Sequence, residues 1–338
     1  MTHARPCIAV PLGDPAGIGP ELVAKLLAER QAIDGADVVV VGDPWLWQEG
    51  QRVAGTALTL PEIASWEQAR GQAGPVLLPL DTIRPEEVEF GRVDAACGAS
   101  VLKVLAHCLD AAQAGRIDAI CFAPLNKLAM KQGGLRHEDE LHFFAEYLKV
   151  PGEVSEFNTL GSLWTSRISS HVPLSEAARY VTPERILNAT RLIHDALVAA
   201  GVAQPRIAVA AINPHAGEGG TCGREEIDVI APAVEACVAA GYPAQGPFPA
   251  DTLFRRARDG EFDAVVTMYH DQGQIALKLL GFERGVTVQG GLPIPITTPA
   301  HGTAFDIVGQ GKASVEAMRH AFAIACRMGK HHARNRGV

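Results

Sequence analysis

The sequence predicts an α/β protein organised as two lobes, and three observations carry that expectation. The chain has 338 residues, more than one small core organises. Apolar, β-branched runs alternate with amphipathic helical runs along most of its length. Several strand-like runs end in turns that carry Gly, Asn or His, the end at which open α/β sheets bind ligands.

Composition narrows the function classes. Apolar residues make up 47% and charged residues 20%, ordinary values for a globular enzyme. Thirty basic and 38 acidic residues give a formal net charge of -8, without a basic patch or Arg-rich run, so no nucleic-acid partner is expected. No apolar run reads as a membrane span, and the opening MTHARPCIAVPLGDP does not read as a signal peptide. Seven dispersed cysteines without a CxxC pair suit reduced thiols, and a cytoplasmic location is expected.

In chain order, CIAVPL (7–12) reads as a buried strand. GDPAGIGPELVAKLLAER follows, with Gly13, Asp14, Pro15, Gly17 and Gly19 in the turn, Pro20 suited to the first helical position and Glu21 to the first turn. Such a turn can offer backbone amides to an anion, or be structural only; it is not GxGxxG. ADVVVVGD (36–43) is a strand, DPWLWQEGQRVA a short helix, and 93–115 a long helix closed by Gly115. IDAICFAPLNK (117–127) is a strand that delivers Asn126 and Lys127. RHEDELHFFAEYL (136–148) turns amphipathic after an acidic start. The run 162–181 reads as a strand ending at His171, and PRIAVAAINPH (205–215) repeats that form, with a helix from about Glu225. PADTLFRRA (249–257) is a short helix with Asp251 near its start. FDAVVTMYHDQGQIALKLLGF (262–282) opens as a strand, places His270 and Asp271 where it runs out, and carries Lys278 on the following helix. The last helix is expected at about 313–329, with a frayed tail.

His171, His215 and His270 share one setting, a strand end before a turn. One such histidine reads as structural. Three suggest convergence, and three neutral imidazoles suit a divalent metal while leaving positions open for substrate. Asp251, Asp271 and Lys278 are the polar neighbours that would orient or titrate around it.

The motifs GDPAGIGPE (13–21), APLNK (123–127), SHVPL (170–174), INPHAGEGG (212–220), GREEI (223–227), PADTLF (249–254), YHDQGQIALK (269–278), GLP (291–293) and HGTAFDIVGQGKA (301–313) resemble the 4-hydroxythreonine-4-phosphate dehydrogenase family of vitamin B6 biosynthesis and its paralogues. Two of them are also similar to turns of isopropylmalate and isocitrate dehydrogenases. The resemblance implies two α/β/α lobes with a cleft between them, and a homodimer whose active site is shared between subunits. It places the cofactor side in 1–125 plus 300–338, and the metal, substrate and dimerisation side in 126–299. It implies His171, His215 and His270 as ligands of zinc, cobalt, manganese, magnesium or nickel. It implies Lys278 as a substrate-binding and catalytic lysine, Asp251 and Asp271 as carboxylates near the metal, and NAD or NADP on His301, Gly302, Thr303, Ala304 and Asp306. The implied chemistry is oxidation of a secondary alcohol next to a carboxylate-bearing carbon, with loss of CO₂.

The departures concern the substrate. Where the family carries a GHTE segment whose His and Thr hold a phosphate, ungapped alignment from Asn126 puts Asp139, Glu140, Leu141 and His142. The family's asparagine is Thr287 here, and its phosphate-side arginine is Ile296. A carboxylate facing a phosphate dianion is repulsive. The expected activity is therefore the family chemistry on a non-phosphorylated hydroxy acid or dihydrodiol carboxylate, with Leu141 and Ile296 lining a pocket for a ring or carbon chain. Arg136-His137 could replace the missing donors, which keeps 4-hydroxythreonine-4-phosphate itself as the alternative substrate. A non-catalytic binding protein on the same fold and a metal hydrolase are the rivals of other classes.

Overall fold

The first strand of the sheet, β1 (Cys7–Pro11), is buried at every residue, and so is β2 (Asp37–Gly42) beside it. A strand buried on both faces needs a helix layer on each. The computed structural model describes residues 5–336 and divides into two units, 1–151 with 286–338, and 152–285.

Unit 1 adds β3 (Val76–Pro79) and β4 (Ala119–Cys121), all parallel to β1 and β2. Beyond β4 lies a later hairpin, whose strands take the labels β10 (Gly285–Gly290) and β11 (Ile296–Pro299) from chain order; β11 pairs parallel with β4 and antiparallel with β10. The unit's strand order is β3-β2-β1-β4-β11-β10. Alternation of side chains across β1 assigns the two helix layers. Ala9 joins Val39, Val41, Leu105 and Leu109 in one cluster, so helix Ala95–Gln113 covers that face. Ile8 points the other way, where Gly329 of helix Glu316–Asn335 comes so close that an added Cβ would lie 3.1 Å from Ile8 Cδ1. Helix Ala95–Gln113 has the length and apolarity to cross a bilayer, but Val101, Leu105, Cys108 and Leu109 are buried in this core.

Unit 2 opens with an antiparallel hairpin, β5 (Ser155–Leu160) and β6 (Leu163–Arg167). Three further strands, β7 (Ile207–Ala210), β8 (Ala244–Phe248) and β9 (Ala264–Thr267), complete the order β5-β6-β9-β7-β8, parallel from β6 onward. Its core brings Leu163, Ala208 and Val265 against Leu253, Phe254 and Leu277. Each of those large side chains contributes about 1.5–3 kcal/mol when fully buried.

The α/β expectation holds, and five details change. Residues 126–151 and 286–299, expected with the metal-bearing lobe, fall in unit 1: Met130, Leu135 and Phe144 join its core, and β11 is built into its sheet. The pairs β5/β6 and β10/β11 are hairpins that strand–helix alternation does not announce. β6 stops at Arg167, four residues before His171. His270 begins helix His270–Gly281, earlier than the run from Ile275 suggested. The tail from His331 to Asn335 is helical instead of frayed, and Arg336 Nη2 donates to the Gly115 carbonyl at 2.8 Å. Residues 337–338 of that tail lie outside the described residues.

Candidate active site

The order β6-β9-β7-β8 sets the exits of four strands side by side, and each exit leads to one expected site residue. All four strands are parallel, so their carboxyl ends share one edge. His171 follows β6, His270 follows β9, His215 follows β7, and Asp251 follows β8. The pairing Arg167↔Thr267 and the bond from Ser169 N to the Met268 carbonyl (3.2 Å) hold the first two exits together. The His171 and His270 rings consequently lie 5.7 Å apart between centroids. Nitrogen ligands sit about 2.0–2.1 Å from a zinc-like ion, so two imidazoles at this spacing could share one.

Asp271 Oδ1 lies 2.7 Å from His270 Nδ1. A carboxylate on one ring nitrogen fixes ring orientation and directs the other, Nε2, toward a metal. Asp271 and Lys278 are seven residues apart on the helix, on one exposed face. Two helical turns separate them by about 10.5 Å along the axis. Lys278 is therefore remote from the His270–Asp271 pair along this helix.

Residues outside the expected set hold the histidines in place. Gln272 Oε1 accepts from Met268 N at 2.8 Å while its Nε2 donates to the Ala211 carbonyl at 2.8 Å, joining the ends of β9 and β7. Buried Glu226 accepts from Ile212 N (2.9 Å) and Asn213 N (2.8 Å) through Oε1, and from Asn213 Nδ2 (2.9 Å) through Oε2. These bonds anchor the entry to a run in which His215, Ala216, Gly217, Glu218 and Gly219 all have φ between 43° and 78°. Left-handed backbone costs roughly 1–2 kcal/mol for each non-glycine residue, and such outliers gather at functional sites. Behind His171, the half-hidden Arg167 donates to Asn158 Oδ1 (2.8 Å), Glu156 Oε2 (2.5 Å) and Ser170 Oγ (2.9 Å). Glu226 belongs to GREEI and Gln272 to YHDQGQ, so both stood inside visible motifs, but their partners are 14 and 61 residues away.

In unit 1 the turn after β1 and the loop 301–309 are locked together. Ile18 N donates to the Thr303 carbonyl at 3.1 Å, and Asp14 N to the Pro124 carbonyl at 3.0 Å. Glu21 Oε1 accepts from Lys25 Nζ (2.7 Å) and Ala313 N (3.0 Å). Thr303 is buried, Ala304 has φ 45°, and His301, Gly302 and Asp306 are more exposed. Asp14 is 1% exposed; its Oδ1 accepts from Ala16 N at 2.9 Å. Burial pushes its carboxyl up to about 6, against the lowering effect of that amide and with a smaller push from Asp94. Beside this turn lies a cavity of about 120 Å³, lined in part by Gly17, Ile18, Val308 and Gly309, where part of a dinucleotide could sit.

The remaining expected substrate residues also lie in unit 1. Glu140 begins helix Glu140–Tyr147, is 7% exposed, and has Oε2 3.7 Å from Lys127 Nζ. Asp139 caps that helix: its burial raises the carboxyl's pKa, but the bonds from His142 N and Nδ1, with Lys127 nearby, bring the net shift below the usual range. Thr287 is buried on β10, opposite Thr298. Leu141 is also buried, and Ile296 is fully buried in the core with Ile120 and Phe122. The expectation that Ile296 lines a substrate pocket is therefore corrected: its strand position turns the side chain into the helix-covered face.

The chain has the α/β fold of solved dehydrogenase structures. More narrowly, the chain belongs to the family described as pyridoxal phosphate biosynthetic protein PdxA, whose model matches residues 34–325. It is 51% identical over 331 residues to a Pseudomonas aeruginosa protein provisionally named 4-hydroxythreonine-4-phosphate dehydrogenase 2, covering 97% of this chain and 98% of that one. Among solved structures, a 4-hydroxythreonine-4-phosphate dehydrogenase from Klebsiella pneumoniae matches with TM-score 0.82 and 36% identity, over 96% of this chain and 99% of that one. A terephthalate 1,2-cis-dihydrodiol dehydrogenase from Burkholderia xenovorans LB400 matches with TM-score 0.65 and 29% identity, over 92% and 94%.

Proposed function

We propose that the chain is a divalent-metal-dependent NAD(P) dehydrogenase. It oxidises the secondary alcohol of a hydroxy acid, next to the carboxylate-bearing carbon, with loss of CO₂ from the product. The observation that carries the chemistry is the exit of three histidines from adjacent parallel strands, two of them 5.7 Å apart. When bound, the metal supplies Lewis acidity toward the hydroxyl oxygen, and the nicotinamide supplies the hydride acceptor. His171, His215 and His270 hold the metal, and Asp271 orients His270. Asp251 takes up the hydroxyl proton from the fourth strand end. Lys278 binds the substrate carboxylate. In unit 1, His301, Gly302, Thr303, Ala304 and Asp306 line the cofactor.

The finer reading is a substrate without a phosphate. Support comes from Glu140, a buried carboxylate at the aligned phosphate position, and from Ile296, whose side chain belongs to the core. Two unit charges at 4 Å interact by about 4 kcal/mol near a protein surface, so Glu140 opposes a phosphate there. The similarity to the Burkholderia dihydrodiol dehydrogenase agrees with a phosphate-free carboxylate. A second reading, a phosphorylated hydroxy acid, is favoured by the names of the Pseudomonas and Klebsiella relatives and by Lys127 beside Glu140. NAD(P)⁺ reduction should be followed with 4-phosphohydroxythreonine, with its dephosphorylated form and with cis-dihydrodiol carboxylates. Ordinary turnover of the phosphorylated compound alone would sink the phosphate-free reading.

We also read the chain as a homodimer that shares its active site. Ile275 and Leu279, four residues apart on helix His270–Gly281, are 57% and 83% exposed, an apolar stripe suited to a second copy. Light scattering of a monomer at micromolar concentration would remove that reading.

A further inference from the structure

The cavity of about 120 Å³ in unit 1 has a feature that the proposed chemistry leaves unused. Its lining includes Glu49 and the exposed Arg52, which form a two-pronged ion pair at 2.6 and 2.7 Å. Its rim carries Phe90, 44% exposed, a large ring without full cover. We propose that this cavity receives the adenine end of the dinucleotide, and that Glu49, by occupying Arg52, selects NAD⁺ over NADP⁺. The proposal rests on the NAD(P) reading above.

The parts are rigid. Gly91 N donates to the Ala16 carbonyl at 2.9 Å, which pins the loop bearing Phe90 to the turn after β1. Helix Pro44–Ala54, which bears Glu49 and Arg52, packs on the earlier helix Gly19–Ala28 at Gly50, where a Cβ would lie 2.4 Å from the Pro20 carbonyl oxygen. The space suits one flat base and is too small for a whole dinucleotide. Aromatic rings stack on bases without regard to sequence, a role open to Phe90. A base seated there leaves its ribose at the mouth. An acidic side chain at a ribose accepts from the 2′-hydroxyl, whereas a 2′-phosphate calls for an arginine. Here the arginine is neutralised by a carboxylate that would repel the phosphate. A second cavity of about 400 Å³ shares Glu49, Arg52 and Phe90 and is also lined by Trp45, which supplies a reporter.

The test titrates NAD⁺ and NADP⁺ onto the purified full chain with saturating Mg²⁺ or Zn²⁺, followed by tryptophan fluorescence and calorimetry. The wild type should bind NAD⁺ at least about tenfold more tightly, the equivalent of about 1.4 kcal/mol. Glu49→Gln, with circular dichroism unchanged, should bring the two affinities together or reverse them. Arg52→Ala should weaken NADP⁺ further and leave NAD⁺ within about threefold. Equal or tighter NADP⁺ binding by the wild type, or an unchanged ratio in Glu49→Gln, overturns the proposal. Binding of neither dinucleotide overturns the cofactor reading itself, and the selectivity proposal with it.

Discussion

Replacing Glu226 with Gln tests whether the left-handed run at His215 is held for metal binding. The carboxylate accepts three bonds, from Ile212 N, Asn213 N and Asn213 Nδ2, at 2.8–2.9 Å. Bonds to a charged acceptor contribute about 1.5–3 kcal/mol each. The run they anchor contains three non-glycine residues with positive φ: His215, Ala216 and Glu218. At about 1–2 kcal/mol each, that conformation costs about 3–6 kcal/mol, which the three bonds, at about 4.5–9 kcal/mol together, are enough to offset. Glutamine keeps one acceptor oxygen and loses the charge, so about half of the restraint goes. Supporting residues around a metal change its affinity by about 10–100-fold when mutated. The assay is competitive titration of Zn²⁺ or Co²⁺ against a chromophoric chelator at pH 7.5, with the thermal midpoint of the metal-free protein as control. Metal affinity should fall by about 30-fold, in the middle of that range. Wild-type affinity in Glu226→Gln would refute the reasoning. So would a loss wholly explained by global unfolding.

Three further outcomes are expected. Asp271→Asn should weaken metal binding by about tenfold while His270→Ala weakens it more, because Asp271 only orients the ring; equal losses would make Asp271 a ligand instead, visible in the Co²⁺ spectrum. For Asp14, the folded pKa of about 6 lies above the carboxylate's ordinary value, so burial of the charge destabilises the fold increasingly as pH rises from about 4 through 6. Asp14→Asn, which retains an acceptor for Ala16 N, should therefore gain on the wild type by about 3 kcal/mol above pH 7 and by little at pH 4; a stability difference that does not vary with pH would contradict this. Ile296→Arg should lower stability by about 3–5 kcal/mol in denaturant titration, because it places an unpaired charge in the unit 1 core; a neutral outcome would mean that the side chain reaches solvent.

Much of the fold is legible in the sequence. Buried runs such as Val38–Val41 and Ala264–Val266 are read locally, because a strand's burial follows from its own apolar residues. Gly115, with φ 70°, closes the long helix where a residue without Cβ is needed. The hairpins β5/β6 and β10/β11 were not legible, because antiparallel pairing of short strands leaves little periodic signal. Nor was the burial of Ile296. Alignment placed it opposite an arginine, but only strand register decides which face its side chain takes.

The cavity's Glu49–Arg52 pair marks the same division. The sequence contains both residues three apart on a helix, an arrangement that is ordinarily a solvated surface pair. Their position beside the turn at Gly17 and the loop at Val308 is tertiary information.

By itself the sequence determined which residue types stand at the turns: a histidine after each of three strands, Asp271 beside His270, and a Gly-rich turn after the first strand. Tertiary structure decided their company. The strand exits that lead to His171, His270 and His215 lie side by side only because the strand order is β6-β9-β7, and Glu226 and Gln272 brace those exits only through bonds to Ile212, Asn213 and Ala211. The physical reason is that a side chain's chemistry is covalent and local, whereas strand order is set by which apolar faces bury together.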